Sequence, residues 1–467
     1  MPLIKSISGI RGTIGGITGE NLTPLDIVKF AAAFGMWLKK KSGTTKIVIG
    51  RDARPSGEMV SSLVTSTLQG LGINVIDLGL STTPTVEIAV PLEKASGGII
   101  ITASHNPVQW NALKLINEKG EFISASDGEE LLKLAEKEAF EFAPVAKLGK
   151  YRKNDDYLQK HIDAILELPL VDVEAIKKRG FKVVVDAVNS SGGIAVPMLL
   201  KALGATVKEM YCDPTGHFPH NPEPLPEHLT DICREIEKGK YDLGIVVDPD
   251  VDRLAFVAED GTPFGEEYTL VAVADYVLSS GKKKKGNTVS NLSSTRALRD
   301  VTEKAGGQYS AAAVGEVNVV TMMKETSAVI GGEGNGGVIY PDLHYGRDAL
   351  VGIALFMAHL AKSGMTVSRL RGTYPNYIIS KNKIELTPNI NVDKVLEEVK
   401  KKYKKQPINT TDGVKIEFDK EWVHLRKSNT EPIIRIYAES DMEVKAEHLA
   451  KKIIADIKEI ISEKAVA

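Results

Sequence analysis

Cysteine is nearly absent from this chain, with only Cys212 and Cys233 among 467 residues. Two thiols supply neither a disulfide framework nor a thiolate metal cluster, which is the usage of a reducing compartment. Long apolar runs are missing too. No stretch approaches the roughly 18 uninterrupted apolar residues of a membrane span, and the opening segment MPLIKSISGIRG has no basic region followed by an apolar core. A cytoplasmic protein is expected. Charge of one sign is not in excess either, since 59 basic and 61 acidic side chains leave a formal charge of -2. No global field favours nucleic acid or a membrane as partner, and only a local positive pocket stays open.

What is there reads as a compact, multidomain chain. At 43% hydrophobic and 26% charged, with 41 Gly and 21 Pro, the composition is globular, and the length is too great for one ordinary core. Strand-length apolar runs alternate with helical patterns. Thr23 caps a helix whose apolar face includes Ile27, Val28 and Ala31; KIVIG (46–50) is a short buried strand ending at the polar turn RDARPSG; GIIITA (98–103) is another, ending at SHNP. The rhythm recurs from FKVVVDAVNSSGG at Phe181 to LGIVVDPD at Asp250, and again from Gly261 towards Gly331, so layered α/β units are expected, with their useful loops beyond the strand ends. GKKKKG (281–286) reads first as a solvated turn and second as a phosphate site. The last part differs. Residues 413–418, 422–425 and 432–438 read as strands, and Ser440 is placed to cap a final helix with Glu443 in capping-box register.

Four strings can carry chemistry. In TASHNP, Ser104 follows a buried strand and presents a hydroxyl at a tight turn, with His105 beside it. The G-x-S-x-G elbow is absent, so serine hydrolysis is not indicated, and alone the string is equally a structured turn. In VVDPDVDRLAF, Asp248, Asp250 and Asp252 alternate directly after an apolar strand. Three crowded carboxylates repel one another unless a cation compensates them, and their hard oxygens suit Mg2+. Arg253 beside them can offset charge or grip phosphate. In RKSNTEP, Arg426 with Ser428, Asn429, Thr430 and backbone N–H groups can form an anion cradle, or simply a turn. In GGEGNGG (331–337), glycines allow close approach of a ligand, and Glu333 and Asn335 can meet sugar hydroxyls; a flexible hairpin is the plain alternative. Arg11, between Gly9 and Gly12, and Lys114, near Ser104 in sequence, are further candidates for a phosphate site.

Together and in this order, the strings resemble the α-D-phosphohexomutase superfamily over nearly the whole chain, and in particular its archaeal-type phosphoglucosamine and phosphomanno/phosphogluco mutases. TASHNP is similar to the phosphoserine loop, DPDVDR to the metal loop, GEGNGG to the sugar loop and RKSNTEP to the phosphate loop. The resemblance implies three consecutive α/β domains (1–155, 156–258, 259–370) and a smaller α+β domain (371–467) around a central cleft. It implies a phosphorylated Ser104, Mg2+ held by Asp248, Asp250, Asp252 and Ser104, Arg11, His105 and Lys114 at the transfer site, and Arg253 near the metal loop. It implies Glu333 and Asn335 on the sugar, and Arg426, Ser428, Asn429, Thr430 and Arg435 on the distal phosphate. The partner would be a phosphorylated hexose or hexosamine, with a hexose 1,6-bisphosphate as activator or intermediate, and the chain a monomer or homodimer. Glucosamine 6-phosphate leads as substrate, mannose and glucose phosphates follow, and a noncatalytic phosphosugar-binding protein is the alternative of another class. Two departures stand out. Gly337 occupies the position of a family histidine, which leaves His344 as a possible acid or base, and Glu316 stands where many relatives place a phosphate-facing lysine, so Glu316 is not assigned to phosphate.

Overall fold

The computed structural model describes residues 3–6, 9–42, 46–280, 285–387, 390–427 and 433–465. Four sheets follow one another along the chain. In the first, Gly97–Ile101, Lys46–Arg51 and Asn74–Leu80 run parallel at the centre, and Trp110–Asn117 pairs antiparallel with Gly97–Ile101. Parallel strands covered on both faces need apolar residues at every position, which is why GGIII is buried throughout. The alternation persists in what each residue touches. Ile47 and Ile49 pack with Ile27, Phe34 and Val64, whereas Val48 packs with Val86 and Val90 of the helix Thr83–Leu92.

The second and third sheets share a plan. Each ends in an antiparallel hairpin at one edge of otherwise parallel strands: Leu243–Val247 with Leu254–Ala258 in the second, Ile330–Glu333 with Gly337–Ile339 in the third. The hairpin tips carry DPDVDR and the GEGNGG string. A single apolar cluster runs through both sheets, with Phe256 stacked on Phe356 at a centroid distance of 3.8 Å. Phe356 lies on the helix Ala349–Ser363, which is apolar nearly all round and therefore gives no helical period to read.

The fourth sheet is antiparallel, in the order Ile378–Glu385, Ile433–Ser440, Trp422–Lys427, Val414–Glu417, Ile408–Asn409, and is backed by the helices Val392–Lys402 and Glu443–Ala465. The three strands expected here are present. Ser440 does not cap the last helix: it ends a strand opposite Ile378 and donates its hydroxyl to Glu421, and the helix begins at Glu443. Gly281 to Lys284 of the lysine run, and Ser428, Asn429 and Thr430 of the phosphate loop, lie outside the described residues. No helix among the described residues is long and apolar enough to cross a membrane.

Contacts between the third and fourth sheets set a pH dependence. His424 is buried, donating from Nε2 to the Asp412 carbonyl at 2.6 Å and accepting from Ser293 Oγ at 3.0 Å. Burial, with Lys415 and Arg426 nearby, pushes its imidazole down to about 4 from 6.5. The unfolded chain thus takes up a proton that the folded one refuses. Its contribution is fully present above pH ~6.5 and is lost as pH falls towards 4, an effect of about 2 kcal/mol at pH 5. Urea unfolding at pH 7 and pH 5 checks this, because His424→Gln should lose that part of the acid sensitivity.

Candidate active site

Ser104 is held in a left-handed conformation (φ 48°) directly after the strand Gly97–Ile101, and its hydroxyl is almost wholly buried. Its backbone N–H donates to Thr102 Oγ1 at 2.9 Å, and Thr102 Oγ1 donates to Asp52 Oδ2 at 2.7 Å. The carbonyls of the turn are gathered by one guanidinium. Arg54 donates to the carbonyls of Ser104, Asn106, Pro107 and Trp110 at 2.5 to 3.0 Å while Nε pairs with Asp52. In the sequence RDARPSG reads as a polar turn, although Asp52 and Arg54, two residues apart at a strand end, are the signal of the pair. The turn is therefore fixed before any ligand arrives.

Ser104 Oγ donates to Asp248 Oδ2 at 2.7 Å, joining the first sheet to the hairpin tip of the second. Asp248 Oδ1 in turn accepts from the backbone N–H groups of Asp252 and Arg253, and Val251 adopts φ 62° to make the turn. Asp250 is gripped from the first domain by Lys114 Nζ at 2.6 Å and by Thr83, whose N–H also donates to the Asp250 carbonyl. Asp252 Oδ2 accepts from Arg347 Nη2 at 2.7 Å, with Lys114 at 3.4 Å.

All three aspartates are 0% exposed and bring one oxygen each within 4.8 Å of the others. Burial, then Asp252 and Asp250, push the Asp248 carboxyl well above its ordinary range. Burial acts in the same sense on Asp252, but Arg347 and Lys114 outweigh it and hold that carboxyl low. Asp250 Oδ1 and Asp252 Oδ1 are buried with no hydrogen-bond partner. Orphaned carboxylate oxygens beside a third carboxylate pushed towards protonation by its neighbours are what a hard divalent cation would satisfy, so the residues fit Mg2+.

Around Ser104 the further charges are Arg11, Arg253 and Lys114, with Glu223 beside His105 and Arg253. Burial and Arg253 lower the Arg11 guanidinium from its ordinary value, and burial, Arg253 and Arg11 keep His105 well below 6.5, hence neutral at pH 7. His105 Nδ1 lies 3.4 Å from Ser104 Oγ. Arg253 Nη1 meanwhile pairs with Glu223 at 2.7 Å. Lys114, although burial opposes it, is held protonated by Asp250 and Asp252.

Arg347 ties the sugar-loop candidate Glu333 to Asp252 of the metal loop. Gly336 has φ 86°, and a Cβ there would lie 2.3 Å from the Leu254 carbonyl, so the GEGNGG tip packs against the metal-loop hairpin only as glycine. Glu333 is buried; it accepts from Asn291, the Gly315 N–H and Arg347, with Asn335 Nδ2 at 3.5 Å. Arg347 was not picked out from the sequence, since a lone arginine outside a motif gives no signal. His344 faces Asp348 (3.2 Å) and Glu87 (3.4 Å), in a buried group with His161. In the fourth domain Arg426 and Arg435 are directly opposed on neighbouring strands, and Arg426 pairs with Asp412 at 2.7 Å.

A buried serine donating to the first of three clustered aspartates, inside three α/β units and a small α+β unit, defines a phosphohexomutase-type protein. The chain belongs to the phosphoglucomutase/phosphomannomutase family, whose alpha/beta/alpha domains I, II and III and C-terminal domain match residues 4–142, 159–261, 265–377 and 387–456. It is 39% identical to a phosphoglucomutase/phosphomannomutase of Thermococcus kodakarensis over 93% of this chain and 95% of that one. It is 31% identical to a phosphoglucosamine/phosphogalactosamine mutase of Sulfurisphaera tokodaii, over 97% and 99%. Among solved structures, a phosphoglucomutase/phosphomannomutase family protein of Burkholderia thailandensis superposes with a TM-score of 0.84 at 26% identity, covering 98% of each chain.

Proposed function

We propose that the chain is a phosphohexomutase that interconverts the 6- and 1-phosphates of a hexose or hexosamine through phospho-Ser104. The observation that carries this is the 2.7 Å bond from Ser104 Oγ to Asp248, which sets a buried turn hydroxyl against a cation-ready carboxylate cluster. A Mg2+ ion held by Asp248, Asp250 and Asp252 would neutralise charge on the transferred phosphoryl group.

The chain's own residues do the rest. A sugar hydroxyl attacks the phosphorus of phospho-Ser104; its oxygen gains the P–O bond, the bond to Oγ breaks, and Oγ leaves as the serine hydroxyl with the proton lost by the sugar. The resulting bisphosphate turns end for end, and Ser104 takes the other phosphoryl group. Neutral His105, 3.4 Å from Oγ, can accept and return the proton. Arg11 and Arg253 seat the reacting phosphate, and Arg426 and Arg435 the distal one. Glu333 and Asn335 read the sugar in both orientations.

Glucosamine 6-phosphate is the first substrate on this reading, because buried acidic groups at the sugar loop suit an amine. The 39% identical relative, a phosphoglucomutase/phosphomannomutase, favours a second reading in which glucose and mannose phosphates are used. Turnover of purified protein on glucosamine, mannose and glucose phosphates decides between them: rapid turnover of mannose phosphate with none of glucosamine phosphate reverses the order. Arg426→Ala should raise KM about tenfold or more with a smaller change in kcat, by removing a charge-assisted contact to the phosphate that does not react. Unchanged steady-state constants would remove Arg426 from the site.

A further inference from the structure

Gly337 and Arg347 compete for one volume. A Cβ on Gly337 would lie 2.4 Å from Arg347 Cδ and 3.1 Å from its Cγ. The φ of Gly337 is not in the left-handed region, so what a side chain would violate here is space and not backbone conformation. Through that space Arg347 reaches three carboxylates on separate elements. Glu316 accepts from its backbone N–H and from Nε, each at 3.0 Å, Glu333 accepts from Nη1 at 3.0 Å, and Asp252 accepts from Nη2 at 2.7 Å. A guanidinium is planar and rigid, so the three acceptors are held at mutual distances that a lysine's single point charge would not fix.

We propose that Arg347 is a positioning residue of the phosphoryl transfer: a strut that sets the sugar-loop carboxylate Glu333 at a fixed distance from Asp252, passing through the space that Gly337 leaves open. The proposal rests on the mutase reading above. It also accounts for both departures from the family strings as one exchange. The chain has no ionisable side chain at 337 and an acid at 316, and Arg347 takes the vacated volume with Glu316 as its anchor. A guanidinium keeps its proton, so the exchange substitutes charge and geometry and leaves proton transfer to other groups. A fixed Asp252-to-Glu333 spacing matters because a displacement of about 1 Å in a reacting assembly costs on the order of 10²-fold in rate.

The test uses the full chain with Mg2+ and a hexose monophosphate primed by hexose 1,6-bisphosphate. Gly337→Ala retains every charge and displaces only the arginine stem; its kcat is expected to fall about tenfold or more. Arg347→Ala is expected to lose on the order of 10²-fold, Arg347→Lys to recover less than tenfold of that, and the double variant to be no worse than Arg347→Ala alone. Calorimetric affinity for the hexose monophosphate without Mg2+ should also weaken severalfold in Gly337→Ala, a readout that an ion cluster serving stability alone would not move. If Arg347→Ala does not fold, Gly337→Ala and Arg347→Lys still decide. Thermal midpoints that drop while kcat and affinity stay at the unmodified values would overturn the strut. Absence of turnover in the unmodified chain on every hexose phosphate would instead overturn the mutase reading, and the role with it.

Discussion

Ser104→Ala is expected to reduce turnover by on the order of 10⁴-fold or more while leaving the protein folded. On the proposed mechanism the substitution removes the nucleophile that would carry the phosphoryl moiety, and the proposed metal, sugar and phosphate ligands would supply no substitute acceptor. The fold should tolerate the change. The turn around Ser104 is held by its backbone, through Thr102 and the four carbonyls bound to Arg54, and the hydroxyl contributes only its bond to Asp248 and a 3.4 Å contact with His105 Nδ1. Alanine accepts φ 48° no worse than serine does. Circular dichroism and thermal denaturation should show near-native behaviour, and kinetics the collapse. An alanine variant retaining more than about a tenth of normal turnover would remove Ser104 from the chemistry.

Asp250→Asn should weaken divalent-cation binding by on the order of 10²-fold or more and lower kcat accordingly. One Asp250 oxygen accepts from Lys114 and Thr83 and the other is buried without a partner. An amide offers one acceptor and one NH2 group. If its oxygen meets Lys114, the NH2 group points to the cation seat; if it turns over, the NH2 group meets the Lys114 ammonium. Either way a donor opposes a positive charge. Calorimetric titration with Mg2+ or Mn2+ reads the affinity directly, apart from turnover, and an unchanged affinity would contradict the assignment of Asp250 as a ligand.

Much of this site is local in sequence, and that is why it can be read there. DPDVDR and TASHNP sit at the ends of apolar strands, and a carboxylate trio or a turn serine declares its chemistry within a few residues. The GEGNGG tip was equally visible, including its resemblance to a hairpin. Arg54, Thr83 and Arg347 carry no motif that announces their roles, because each closes the site through a contact at least 50 positions away, to the Ser104 carbonyl, to Asp250 and to Asp252 respectively. Arg347 shows the limit most clearly: the glycine that marks its path appeared in the sequence as a missing histidine, and only the fold brings residues 337 and 347 into one volume. Ser440 shows the opposite error, a local capping pattern overridden by eight residues of strand pairing.

The claim on which the rest depends is that Ser104 carries the phosphoryl group between the two ends of the sugar. Incubating the purified chain with a hexose 1,6-bisphosphate and Mg2+, then mapping its peptides by mass spectrometry, tests this most directly. The account predicts one phosphoryl group on Ser104, lost on chasing with a hexose monophosphate and absent from Ser104→Ala. No adduct in the unmodified chain while it turns over, or an adduct on a different residue that survives the alanine substitution, would contradict it.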